Sequence, residues 1–462
     1  MSVVDTAESA SPVLARPTPL DARTSLWRFL RTLRDSSIAA WRAEAYDQDI
    51  TVSRLLWRTS VVVNEPAGVK HVLLDNAANY QKSVITRRLL EPGLGRGLLT
   101  SEDETWRGHR RIMAPSFDLR SIAGYAPSMI EVVADLLARW DAMPDGAETD
   151  VAAVMMHVTL HIISRAMFSS DSDETVDIVA AGVERYQANM RPTLFDILAM
   201  PDFIARPRRQ RQAREYLGAF DRAVDRLLAD RGGADGQPED LLARLIAARD
   251  EETGGGMTAQ EVRDQVVTIF MAGHETTAVA LTWTWYLLSQ HPAVEAKLHA
   301  ELDAALAGRH PHYDDLANLP YTRMVIEESM RLYPPAHTLA RQAIAADEVL
   351  GCRVPAGATV LVVPWLLHRR ASIWERPERF EPERFSPERA AGRSRFAYIP
   401  FGGGPRICIG AAFAMAEAML ILAMIAQRYR LRLKPGHPVE PQGLITLRAR
   451  HGMKMVVERR QR

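Results

Sequence analysis

From about residue 105 to 335 the apolar positions recur with helical spacing almost throughout. Short polar or Pro/Gly stretches interrupt them, most clearly DAMPDGAET (141–149) and RGGADGQPED (231–240). One helix stands out. Thr258 and Glu261 have capping-box spacing at its start, and His291-Pro292 stops it. Such a helix is roughly 45–50 Å long, enough to cross a whole domain. MAGHETTAVALTWTWYLL in its middle makes it central rather than peripheral.

Elsewhere the pattern is strand-like. ITVSRLLW (50–57) and TSVVVNE (59–65) read as a β-hairpin, and DEVLGCRVPAGATVLVVP (347–364) as short strands divided by Pro/Gly turns. A proline-rich meander, WERPERFEPERF (374–385), leads to the glycine-rich loop FGGGPRICIG (401–410). A strongly helical run, GAAFAMAEAMLILAMIAQRYR (410–430), follows, and the tail returns to strand-like RLRL and MKMVVE. The pattern predicts a mainly α protein with a small β portion, drawn chiefly from 50–70, 340–365 and 430–460. Residues 21–462 form one domain in this reading, after a mobile segment over 1–20 that is rich in Pro, Ser and Ala.

Charge changes the picture by exclusion. The chain has 57 Lys+Arg against 57 Asp+Glu, so nothing electrostatic draws it to nucleic acid or an anionic membrane. The basic run RPRRQRQAR (206–214) reads as a solvated helix face. Two cysteines, Cys352 and Cys408, cannot build a disulfide framework, which fits a reducing cytoplasm. The N-terminus lacks a basic start followed by an apolar run, so no signal peptide is expected. No uninterrupted run reaches the ~18 apolar residues of a membrane span. The longest candidate is AMLILAMIA (418–426). The expectation is a cytoplasmic protein with no transmembrane anchor.

Cys408 carries the chemistry. It sits in a loop whose glycines let something bulky approach the backbone. It directly precedes an apolar helix, whose N-terminal dipole favours a thiolate. A single cysteine cannot make a zinc site, whereas haem iron needs only one protein thiolate.

At this point the loop resembles the haem-binding loop of the cytochrome P450 family, with Phe401, Gly404, Arg406, Cys408 and Gly410 at the diagnostic positions. The resemblance implies haem b (iron protoporphyrin IX), held between the long helix and the helix after the loop. Cys408 would be the axial ligand, Phe401 would pack beside its sulfur, and Arg406 would pair with a haem propionate. A second match is AGHETT (272–277). There Ala272 and Gly273 would leave space for dioxygen. Thr276 would distort the helix and hydrogen-bond the oxygen site, and Glu275 would assist proton delivery. His274 is read as a structural or solvent-linked side chain.

A third match is EESMR, in which Glu328 and Arg331 share a helix face. With Arg384 of the second PERF, rather than Arg379 of the first, it resembles the family's Glu–Arg–Arg cluster, a folding device. A fourth is WRGHRR, where Trp106 and Arg110 would serve a propionate, joined by Arg341. Substrate contacts are inferred from family topology alone. They fall in 83–100 and 190–205, at Phe270 and Thr277, at Ala336, His337 and Thr338, and at Leu444, Ile445 and Thr446. These are mostly apolar, which suits a lipophilic substrate.

The resemblance spans about 50–460 and implies a monooxygenase that hydroxylates a lipophilic small molecule with O2. Electrons would come from a separate ferredoxin or flavodoxin served by an NAD(P)H reductase. Arg107, Arg111, Arg393 and Arg395 are the expected docking charges. A peroxide-driven haem-thiolate hydroxylase is the nearest rival, and intact Glu275-Thr276 argues against it. A haem-binding sensor without turnover is the rival from another class.

Overall fold

The computed structural model describes residues 14–461, apart from 22, 171–172, 199, 201, 230–239 and 250–253. The long helix runs Ala259–Gln290, 32 residues, so it is about 48 Å long. Its capping box is formed: Glu261 N–H donates to Thr258 Oγ1 (3.2 Å), and Thr258 N–H donates to Glu261 Oε2 (2.8 Å). From Asp264 to Leu288 every residue of this central helix is buried except Ala272, Gly273 and Thr276. The helix Val151–Phe168 packs along it, and the helices Pro320–Leu332 and Ala411–Arg428 close other sides. Trp283 stacks on Tyr333 at 4.2 Å in this core.

The hairpin forms as β1 (Ile50–Leu55) and β2 (Arg58–Val63). It starts a five-stranded sheet. β8 (Thr359–Val362) lies parallel to β2, β5 (Leu339–Ala343) antiparallel to β8, and β3 (Tyr80–Lys82) antiparallel to β5 at the far edge. β6 (Asp347–Val349) and β7 (Cys352–Val354) make a separate hairpin. β4 (Ala147–Asp150) and β9 (Tyr429–Leu433) flank β12 (Lys454–Arg459). β10 (Pro441–Gly443) and β11 (Leu447–Ala449) form a short hairpin whose turn meets the central helix.

Several sequence expectations change here. Leu14–Leu20 belonged to the mobile segment, yet Leu14 is buried and the Tyr333 hydroxyl donates to Ala15 O at 2.8 Å. Residues 1–13 lie outside the described residues, as does most of 231–240. The stretch 141–149 is a loop only in part, because residues 147–149 begin β4 and pair with β12. Three helices, Leu119–Asp141, Val151–Phe168 and Ala411–Arg428, are long and apolar enough to cross a membrane, contrary to the count of uninterrupted apolar runs. Averaged hydropathy tolerates isolated polar residues that break such runs. In the last two, about two-thirds or more of the apolar window is buried inside the protein. In the basic run Arg209 is buried and paired with Asp196, while Arg211 and Arg214 are exposed.

Candidate active site

The loop before the helix Ala411–Arg428 is shaped by close backbone approach. Gly404 has φ +68°, and a side chain there would collide with the backbone oxygen of Leu73. Cys408 N–H donates to Phe401 O at 2.9 Å, which brings the two residues together across the turn. Cys408 is exposed, yet burial pushes its thiol up, because the sulfur opens onto an enclosed surface rather than bulk water. The Gly410 N–H and the Arg110 charge oppose that shift only in part. The helix terminus alone therefore does not make the thiolate. A bound cation would, by displacing the proton.

Arg110 donates to Ile407 O at 2.7 Å, within the loop itself. Arg406 lies over the Trp106 ring at 4.4 Å, donates to Ser101 O at 3.0 Å and pairs with Glu102. Arg341 on β5 stands opposite Lys82 on β3 in the strand register. Burial, then the charges of Arg341 and Arg406, push the Lys82 ammonium down to about 7. Arg341 is pushed down to about 10 by burial and by Arg406. Glu102 is the nearby carboxylate: it pairs with Arg406, accepts the Lys82 backbone N–H at 2.7 Å, and acts on the Lys82 and Arg341 charges through space, with Asp103 and Arg107 acting on Arg406. An enclosed cluster with this cation excess suits a dicarboxylate. Together with the exposed Cys408, these residues fit a haem. Lys82 was missed from the sequence, since a lysine in an edge strand carries no local signal.

The central helix exposes Ala272, Gly273 and Thr276, one i, i+4 face, in an otherwise buried stretch. Thr276 Oγ1 donates to Ala272 O at 2.9 Å, and the helix is continuous there rather than broken. A Cβ on Gly273 would meet Ile163 Cδ1 at 2.5 Å, so this glycine is a packing notch for the helix Val151–Phe168. His274 is wholly buried, its Nδ1 hydrogen-bonded to Phe270 O, and burial holds its ring at about 4. Its Nε2 has no partner among the described residues.

Glu275 is buried and held. Its Oε1 accepts from Thr446 Oγ1 and from Arg448 Nε, both at 2.6 Å. Neither holder was expected as such. Thr446 had been placed against substrate, and Arg448 was missed because 173 residues separate it from the acid.

Of the expected substrate contacts, Ala336, Thr338, Leu444 and Ile445 are partly exposed. Most of 84–92 is also partly exposed, and residues 199 and 201 lie outside the described residues, while Phe270, Thr277, His337 and Thr446 are buried. Phe270 is buried in a stack on Phe168 at 4.5 Å. His337 is buried and bonds Leu444 O at 3.0 Å, with burial lowering its ring to about 4. Thr277 is buried, donates to Gly273 O (3.3 Å) and faces Glu417. Glu417 was also missed. It is fully buried, neither oxygen has a hydrogen-bond partner among the described residues, and burial raises its carboxyl well above the usual range.

Behind the loop, Arg331 donates to Glu328 through Nε (2.7 Å) and Nη2 (2.8 Å). Arg384 Nε adds a bond at 3.2 Å and Glu381 N–H another at 2.9 Å. Arg379 contributes its carbonyl, which accepts from Arg331 at 3.0 Å. Arg331 also donates to His368 O (2.8 Å), and His368 Nε2 accepts from Ile399 N–H (2.9 Å), two residues before the loop. Of the expected docking charges, Arg107 pairs with Glu104, and Arg393 lies over Trp374 at 4.3 Å while donating to Arg384 O.

Comparison with known proteins follows the same lines. A family model described as Cytochrome P450 matches residues 35–451. Cyclooctatin synthase of Streptomyces melanosporofaciens is 38% identical over 410 residues, 87% of each chain. Cyclooctat-9-en-7-ol 5-monooxygenase of the same organism is 37% identical, covering 84% of this chain and 83% of its own. A crystal structure of the cytochrome P450DA heme domain superimposes with a TM-score of 0.83 at 26% identity, covering 97% of this chain and 99% of that one.

Proposed function

The chain belongs to the cytochrome P450 family, and we propose that it uses haem b to insert one oxygen atom of O2 into a lipophilic small molecule. It is an oxygen-incorporating oxidoreductase. The observation that carries the finer reading is the exposed Cys408 beside a cation excess at Lys82, Arg341 and Arg406. The name of one relative denotes an unsaturated alcohol with an otherwise hydrocarbon ring frame, which supports a carbocyclic substrate of that kind. In this reading residues 21–462 act as one unit in the cytoplasm, and electrons arrive from a separate ferredoxin or flavodoxin.

Cys408 would ligate the iron. Arg406, Arg341 and Lys82 would hold the two propionates, with Trp106 supporting Arg406 and Arg110 fixing the loop. The haem supplies dioxygen activation, and the thiolate's electron donation favours O–O cleavage. The chain's residues orient, exclude water and move protons. Thr276 offers a hydroxyl on the accessible face of the central helix, and Glu275, the preceding residue, is the acid that supplies it. Partly exposed Ala336, Thr338 and Ile445 would meet the substrate.

The test is spectroscopic. Cys408→His should retain a haem protein whose reduced carbon monoxide complex loses the thiolate signature, while Cys352→Ser keeps it. A thiolate signature that survives Cys408→His and disappears in Cys352→Ser overturns the ligand assignment.

A further inference from the structure

The turn between β10 and β11 is tied down on several sides. His337 Nε2 bonds Leu444 O (3.0 Å), and Leu447 N–H donates to Pro335 O (3.1 Å). Trp283 Nε1 on the central helix donates to Leu447 O (2.7 Å), and Leu444 N–H donates to Thr446 O (3.0 Å). A turn pinned this way presents its side chains at set positions. Two of them, Thr446 and Arg448, converge on Glu275 Oε1 at 2.6 Å. Ile445, the residue before Thr446, is partly exposed and is a candidate substrate contact.

We propose that Arg448 and Thr446 are positioning residues that clamp the Glu275 carboxylate, so that the turn meeting the substrate also sets the acid serving Thr276. The inference rests on the monooxygenase reading above. Glu275 and Thr446 are buried, whereas the Arg448 side chain is 20% exposed. Arg448 thus reaches from the buried acid to an accessible side. A proton entering from that side is accepted by the Glu275 carboxylate, which gives one up toward Thr276 and returns to its ion pair with Arg448. No electrons move in this step, and each proton passed on is replaced from solvent. Charge-assisted bonds to one carboxylate oxygen fix its orientation more firmly than a neutral partner does.

The experiment compares Arg448→Gln, Arg448→Lys and Thr446→Val in the holoprotein. In Arg448→Gln a buried carboxylate loses its cation and takes up a proton. Infrared difference spectra of the ferrous carbon monoxide form should then gain a protonated-carboxyl band. Glu275→Gln in the same background should abolish it. With any substrate that is turned over, the ratio of product to reductant consumed should fall by roughly two- to thirtyfold in Arg448→Gln. Arg448→Lys should recover most of the loss, and Thr446→Val should show a smaller one. The carbon monoxide thiolate signature, which tests the parent reading, should be unchanged in all three. If Arg448→Gln does not fold, Arg448→Lys and Thr446→Val carry the comparison through the same two readouts. No new carboxyl band and unchanged coupling, with the thiolate signature intact, overturn the clamp and leave the monooxygenase reading standing.

Discussion

Glu328 and Glu417 are both wholly buried carboxyls, on neighbouring helices, and the protein treats them in opposite ways. Glu328 accepts bonds from two arginines and from the Glu381 backbone, behind the cysteine loop. Among the described residues Glu417 faces the Thr277 hydroxyl, on the helix that carries Glu275 and Thr276. Burial by itself therefore does not say what a carboxyl does. The difference lies in the partners: Glu328 is tied by two arginines, whereas burial raises the Glu417 carboxyl well above its usual range. Buried polar atoms without a partner among the described residues occur in both regions, His368 Nδ1 and Ser329 Oγ behind the loop and His274 Nε2 and Thr268 Oγ1 along the central helix, so the contrast rests on the two carboxyls.

Removing Glu328 should give the largest effect on this contrast. Glu328→Ala strands the Arg331 and Arg384 charges in the interior, and the expected loss is about 3–5 kcal/mol. Haem content after expression should fall with it. Normal melting and normal haem loading would show that the two carboxyls do not differ as described.

Arg384→Ala should cost less, about 1.5–3 kcal/mol, because it makes one longer bond to Glu328 and leaves Arg331 in place. Arg379→Ala keeps the backbone carbonyl that Arg331 uses, so that bond to the lock survives the substitution. Chemical denaturation of the two variants side by side separates the arginines. Equal losses would deny Arg384 its place in the lock.

Glu417→Gln sharpens the other half with the smallest change. The folded-state carboxyl titrates above its unfolded counterpart near 4.5. As pH rises past that value the unfolded chain releases a proton that the folded one keeps, so wild-type stability declines with pH. Glutamine removes this dependence. The stability of Glu417→Gln relative to wild type should therefore rise between pH 5 and pH 8, by up to about 1.4 kcal/mol per pH unit. A flat difference across that range would mean that Glu417 is ionised in the folded protein.

Local signals reached far into this chain because they depend on near neighbours. The capping box at Thr258 and Glu261, the two-residue turn between β1 and β2 and the spacing of Glu328 and Arg331 are all short-range features. So is the loop around Cys408, where Gly404 answers to a backbone contact. Membrane-length apolarity was judged wrongly from uninterrupted runs. Within the helix Ala411–Arg428 the charged Glu417 broke the run in its middle, while its neighbours kept the average high.

The sequence by itself determined the family, the mainly helical architecture, the central helix and the cysteine that defines the site, because each follows from periodicity or from a compact motif. Only the tertiary structure decided which polar groups meet. Lys82 joins Arg341 through strand pairing, Arg448 reaches Glu275 across 173 residues, and Phe270 stacks on Phe168. It also decided that, among the described residues, Glu417 meets no cation while Glu328 meets two. Charge state depends on solvent and on neighbours brought close by folding, and neither is written in the spacing of residues along the chain.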